Sequence, residues 1–407
     1  MFAHAVPAFT AATQTSLSYS RSFHSSFESK RYESSFSMPR QSIIITSAII
    51  SLKDSTSKRT RVSARAVKHA RMANEASAIG IDDKPSFTVL KSALSDVQKV
   101  SHVVYDTKQA LNEYGQLGAQ AATVSPQILL YSIKNSDSFD KGALEGALVY
   151  ANEMDESRKM TNTERVDLVI DKAYANLAAK FAQRVDGRVS IEVDARSSST
   201  EAIVNRAQAL LRMLEEEMKV PRTKLLFKIP ATWEGIQAIR QLEAKGIPCH
   251  ATLCYCLEQT ALAAKANASL IQIYYARINA YGGDGLKLAQ QTKSYIQSIG
   301  SQSKILAASI RSAEDAKAVA GCDYILLNER VLISLNSENS SSSIVDNVRN
   351  KAQEVNASMA DSLTKETFEK ALKSSPANDA IQSNLQSYSL LKKQLELYVS
   401  EWVGLNC

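Results

Sequence analysis

LLFKIPATWEGI, Leu225–Ile236, carries the reading of the fold. Leu225, Leu226, Phe227 and Ile229 are the residues of a strand buried on both faces, as parallel strands are. The apolar residues then change period: Trp233, Ile236, Ile239 and Leu242 recur every third position. That is a helical stripe, and Gly246 stands where a C-terminal glycine ends a helix. A buried strand passing straight into a helix is one βα unit. Lys228 is the anomaly inside it. An ammonium there is costly to desolvate unless it is paired or loses its proton. A lysine that gives up its proton easily can attack a carbonyl. The alternative is a lysine at a strand end that snorkels to water.

The same alternation extends in both directions. β-type runs occupy Ser101–Thr107, Ala121–Pro126, Arg188–Asp194, Thr223–Pro230, Pro248–Tyr255, Leu270–Arg277, Lys304–Ile310 and Tyr324–Asn328, with helical patterns between them. Eight strands alternating with helices predict an α/β fold, a closed (β/α)8 barrel of the TIM type. An open doubly wound sheet is the alternative, weakened because no glycine-rich phosphate loop follows the first strand. The interval from Gln127 to Gly187 reads as helices, and so does the tail after the serine-rich NSENSSSS that begins at Asn336. The expected organisation is one barrel domain over residues 80–400, with additional C-terminal helices from about 340.

The N-terminus is different in kind. Fifteen of the first 60 residues are serine and acids are scarce. Residues 1–72 therefore read as a transit peptide, for the chloroplast rather than the mitochondrion. The net charge of +6 is concentrated there: residues 1–71 carry +8 and the remainder −2. The body of the chain thus gives no footprint for nucleic acid. No apolar run is long enough to span a bilayer as a helix. The five cysteines fit no zinc spacing, and only His102 and His250 lie beyond the leader, so packing thiols are expected rather than a metal centre.

Strand periodicity sorts the polar residues, because side chains alternate between faces. Lys228 shares a face with Leu226, and Glu192 with Ser190 and Asp194. In a barrel the outer face packs on helices, so both should point inward near the strand C-termini. The same parity collects Asp106, Thr123 with Ser125, His250 with Thr252 and Cys254, Gln272 with Tyr274, and Ser309 with Arg311; Arg277 follows its strand. A solvated salt-bridge network at the rim is one reading of this set. The other is chemical. A lysine imine is an electron sink for breaking a neighbouring C–C bond, carboxylates move protons, and arginines hold a remote phosphate. That describes a class I aldol enzyme acting on a phosphorylated sugar.

KLLFKIPATWEGI resembles the lysine signature of the transaldolase family, GRVSIEVDAR its glutamate strand, VVYDT its first strand, and AASIR with AGCDYILLN its last two. The likeness covers about residues 95–335. It implies transfer of a dihydroxyacetone unit between phosphorylated ketose and aldose substrates, as in the non-oxidative pentose phosphate pathway. It implies Lys228 as the imine-forming residue and Asp106 as the acid/base. Glu192 with Thr252 would place the water of imine formation. Arg277, Arg311 and Ser309 would hold the phosphate, and Thr123 would line the site. No metal or organic cofactor is called for. A homodimer is the assembly the resemblance brings into consideration. The sugar-contacting shell departs from the family: Ser125 and His250 stand at asparagines, Gln272 at a serine and Tyr274 at a phenylalanine. A tyrosine at that last position is similar to the fructose-6-phosphate aldolases. Such an aldolase, or a non-catalytic transaldolase-like binding protein, is therefore the alternative function.

Overall fold

The computed structural model describes residues 92–105, 121–134, 138–193, 199–340, 346–351, 353–375 and 378–402. The transit-peptide expectation for residues 1–72 lies outside them, and so does Asp106. Each of the eight β-type runs contains a strand. These are β1 His102–Tyr105, β2 Ala121–Val124, β3 Val189–Glu192, β4 Leu225–Pro230, β5 Cys249–Cys254, β6 Leu270–Tyr274, β7 Lys304–Ala308 and β8 Tyr324–Leu327. All pair in parallel, in sequence order. β1 returns to β8 through His102 opposite Tyr324 and Tyr105 opposite Leu327, closing the barrel. The open-sheet alternative is thereby excluded.

The faces segregate as the strand alternation requires. Leu225, Phe227 and Ile229 are fully buried in the core between strands and helices. Leu226 instead joins Val104, Leu270 and Leu306 in a separate cluster inside the barrel. Lys228 shares the parity of Leu226 and therefore lies on the interior side.

Thirteen helices are described. α1 (Ala93–Gln98) leads into β1. The long interval holds α2 (Pro126–Lys134), α3 (Ser138–Arg158) and α4 (Asn162–Ala182). α5 (Thr200–Arg212), α6 (Trp233–Glu243), α7 (Leu257–Lys265), α8 (Tyr275–Ala280), α9 (Gly285–Ser298), α10 (Ala313–Ala318) and α11 (Glu329–Ser337) follow in order. The tail adds α12 (Lys365–Ser374) and α13 (Asn378–Trp402). α12 packs beside α6 and α7, and α13 lies against α2 and α4. No described helix is long and apolar enough to cross a membrane.

Three local departures from simple alternation reshape the site. Leu253 has φ +58°, and Cys254 pairs with Ile273 one residue out of register. A bulged strand turns its later side chains over. Cys254 therefore joins the outer core rather than sharing the inner face with His250 and Thr252 as the alternation predicted. β6 ends at Tyr274, three residues earlier than expected, and Arg277 belongs to α8. β7 ends at Ala308 because Ser309 has φ +62°, which breaks the alternation that linked Ser309 to Arg311.

The β4–α6 turn is tightly built. Thr232 caps α6, its hydroxyl accepting from the Gly235 N–H at 3.0 Å. Gly235 has ordinary helical geometry, but a Cβ there would collide with the Pro230 carbonyl oxygen and crowd Ile229. The carbonyl is part of the β4 backbone, so it cannot rotate away. Gly235→Ala is expected to cost about 1–3 kcal/mol, the range for overpacking a closed site. Chemical denaturation measures it; an unchanged midpoint would show that the turn relaxes freely.

Candidate active site

The register of three adjacent strands brings the chemistry together. Glu192 on β3 lies opposite Lys228 on β4, which lies opposite His250 on β5. Lys228 Nζ is 3.7 Å from Glu192 Oε2, and the two side chains are 6% and 4% exposed. Burial this deep excludes the snorkelling alternative. It also means that each group has exchanged hydration for its neighbour, a pairing that rarely gains stability over apolar packing. Among the described residues, no group of histidines, cysteines and acids could hold a metal ion.

His250 is the most altered group. Its Nδ1 shares a hydrogen bond of 2.6 Å with Ser190 Oγ, two residues before Glu192 on β3. Desolvation, and then the Lys228 charge, push its pKa well below the ordinary 6.5; the Gln272 side chain opposes them weakly. The ring is therefore neutral at physiological pH. The Thr123 hydroxyl is buried and has no hydrogen-bond partner among the described residues, while the second ring nitrogen of His250 is left to the Gln272 side chain.

Below His250 and Lys228, a cavity of about 820 Å³ runs along the barrel interior towards the N-terminal ends of the strands. Thr123, Ser190, Lys228, His250 and Gln272 line its upper part. TIM-type interiors are ordinarily filled by layers of side chains. Here small residues at Ala121 and Ser190 leave room.

On β5 and β6, the Thr252 hydroxyl donates to Gln272 Oε1 at 2.7 Å and lies 3.1 Å from the Tyr274 hydroxyl. Tyr274 stacks on Tyr255, with ring centroids 5.3 Å apart and planes inclined by 22°. The Arg277 guanidinium sits 5.5 Å from the Tyr274 ring centroid. One hydrogen-bonded and stacked series thus runs from Gln272 through Thr252 and Tyr274 to Arg277.

The remaining expected site residues are placed differently. Ser125 precedes α2, and its hydroxyl accepts from the Ile128 N–H at 3.4 Å, as a helix cap does. Ser309 is half-buried at the kink after β7. Arg311 is exposed, its backbone N–H donating to Asp315 Oδ2 at 2.9 Å. Ser190, Tyr255 and Asn384 were not singled out by sequence. Ser190 was within reach, since it shares the parity of Glu192; the other two depend on helix packing. The four described cysteines are free, and burial pushes the Cys256 thiol up to about 12, which makes it a poor nucleophile.

The neutral histidine has a pH signature. Between its lowered folded pKa and 6.5, the unfolded chain binds a proton at this residue and the folded chain does not. Stability therefore falls as pH drops through that window, by about 1.4 kcal/mol per pH unit from this group. Denaturation curves at successive pH values should show His250→Asn to lack that component of the slope. Equal slopes in both proteins would mean that the folded ring titrates normally.

Residues 103–393 match the family described as Transaldolase/Fructose-6-phosphate aldolase. A transaldolase of Chlamydia pneumoniae is 35% identical over 232 residues, which are 54% of this chain and 69% of that protein. A probable transaldolase of Dictyostelium discoideum is 31% identical over 268 residues, 62% of this chain and 81% of its own. A transaldolase of Sus scrofa is 31% identical over 260 residues, 60% of this chain and 74% of its own. With the closed eight-stranded barrel, these matches mean that the chain belongs to the transaldolase/fructose-6-phosphate aldolase family.

Proposed function

We propose that the protein is a transaldolase that moves a dihydroxyacetone unit between sugar phosphates through an imine on Lys228. The observation that carries this reading is the buried Lys228, 3.7 Å from Glu192 on the neighbouring strand of the barrel. Unprotonated Nζ adds to the ketose carbonyl, and the resulting carbinolamine loses water to give the imine. Glu192, with Thr252 on β5, positions the water through which the carbinolamine hydroxyl is protonated, so that it leaves as water. Asp106 then takes the proton of the C4 hydroxyl as the C3–C4 bond breaks. The electron pair flows into the protonated imine, giving an enamine, and the aldose phosphate leaves. A second aldose phosphate accepts the enamine carbon by the reverse sequence, and hydrolysis frees Lys228. The imine is itself the electron sink, so the route calls for no metal or organic cofactor. Arg277 and Arg311 hold the remote phosphate and convert its binding energy into orientation. The reading places the reaction in the non-oxidative pentose phosphate pathway, and the serine-rich N-terminus supports a plastid setting.

One observation favours a second reading. The Tyr274 hydroxyl bonds to Thr252, a contact that phenylalanine could not make. It adds an oxygen beside the proposed water-handling group, which suits an aldolase that hydrolyses its enamine and releases dihydroxyacetone without an acceptor.

Borohydride reduction in the presence of fructose 6-phosphate should leave a stable adduct on Lys228, located by mass spectrometry. The Lys228→Met protein should keep its circular dichroism spectrum and lose the adduct. A wild-type adduct on any other residue would remove Lys228 from the mechanism. No adduct from folded wild type, with several ketose phosphates, would favour the non-catalytic alternative. Product analysis separates the remaining two: transfer requires an aldose phosphate acceptor, whereas an aldolase accumulates dihydroxyacetone without one.

A further inference from the structure

We propose that Asn384, on the C-terminal helix, is a positioning residue for Arg277 and makes α13 part of the recognition of the substrate's remote phosphate. This rests on the phosphate-holding role given to Arg277 above. Arg277 Nη1 donates to Asn384 Oδ1 across a separation of 107 residues. The Asn384 amide is itself held at two further points. Its Nδ2 donates to the Tyr255 hydroxyl at 2.6 Å and to the Ala380 carbonyl, one turn earlier in its own helix, at 2.5 Å. Arg277 Nη1 also reaches the Tyr255 hydroxyl at 3.5 Å. Arg277, Asn384 and Tyr255 thus close a triangle. Its Tyr255 corner is almost fully buried and stacks on Tyr274, whose hydroxyl meets Thr252.

Three physical points turn this contact into a positioning device. An arginine loses much rotamer entropy when it is held in one orientation, and a protein that fixes it beforehand spares the ligand that cost. The guanidinium has five N–H donors in a planar fork, so a bond at Nη1 leaves others for two-point contact with a phosphate. The acceptor is an amide rather than a carboxylate. An aspartate could accept from the guanidinium but could not donate to Tyr255 and Ala380, and it would neutralise the charge that attracts an anion. The helix carrying Asn384 is firmly anchored. Leu395 and Val399 are fully buried, and the buried Lys392 lies 3.7 Å from Asp167 on α4.

The test uses the full-length chain and two readouts. One is the half-saturating concentration for imine trapping, with fructose 6-phosphate and with unphosphorylated fructose. The other is the rise in melting temperature produced by inorganic phosphate. Asn384→Ala should raise the half-saturating concentration of fructose 6-phosphate about tenfold, as loss of a hydrogen bond to a charged group implies. It should leave the fructose value and the maximal trapping rate within about twofold and weaken the stabilisation by phosphate. Asn384→Asp keeps the acceptor but loses both Nδ2 donations, and it should weaken recognition of fructose 6-phosphate while leaving the fructose value within about twofold, a selective loss that a purely structural role would not produce. The double variant Arg277→Ala with Asn384→Ala should be no worse than Arg277→Ala alone. If Arg277→Ala removes the phosphate preference while Asn384→Ala and Asn384→Asp retain it, the positioning role is overturned and the phosphate role of Arg277 stands. If Arg277→Ala leaves the preference intact, both fall. If no adduct forms, yet phosphate stabilises the wild type and not the Asn384 variants, the positioning role holds and the imine reading fails.

Discussion

The placement of one ammonium group inside an apolar barrel governs the rest of the site. β4 is buried along its whole length, so a charge at Lys228 is held away from bulk water. It must face a partner, and the parallel register with β3 supplies Glu192 at the same height. A one-residue slip between these strands would move Glu192 to the outer face, against the helices. Register is therefore strongly specified here, because slippage would strand a carboxylate in the outer core and take it away from the lysine. The pair is a poor way to gain stability, which is why its presence points to chemistry.

Around the pair, the barrel builds two kinds of polar environment. On one side, Ser190 and His250 form a buried neutral pair with the ring's second nitrogen facing the interior. On the other, Thr252, Gln272 and Tyr274 share hydrogen bonds that continue by stacking to Arg277. The two sides differ in what they can do for a substrate. A buried threonine hydroxyl without a partner among the described residues, at Thr123, favours a ligand that supplies a hydrogen-bonding group there. The β6 series is already satisfied internally, so it orients rather than awaits. This division accounts for the pattern of departures from the family's usual residues. In the proposed reading they fall on the walls that would meet the sugar, while the lysine and its carboxylate are kept.

The C-terminal helix has a larger part in the site than its place in the chain suggests. Its buried face joins α2 and α4, and Asn384 reaches across to α8 and the end of β5. α12 is tied similarly, through Lys365 Nζ at 2.6 Å from Glu234 Oε1 in the first turn of α6. Both tail helices thus contact elements that follow site-bearing strands.

The sequence by itself determined the barrel and the inward set of its strands. Strand and helix periods differ, and a strand has only two faces, so Lys228, Glu192, Thr252, Gln272 and Tyr274 could be assigned to one side from parity alone. Parity holds only while the backbone stays extended. It failed at Cys254 and beyond Ala308, where left-handed residues at Leu253 and Ser309 reset the direction of the side chains. It also could not say that the strand at Tyr274 gives way at once to a helix, which carries Arg277 onto the face of the ring before it. Only the tertiary structure decided the partners. The bonds of His250 to Ser190 and of Asn384 to Arg277 join residues 60 and 107 positions apart. Such contacts follow from strand register and helix docking, which depend on the packing of the whole chain and on no local pattern within it.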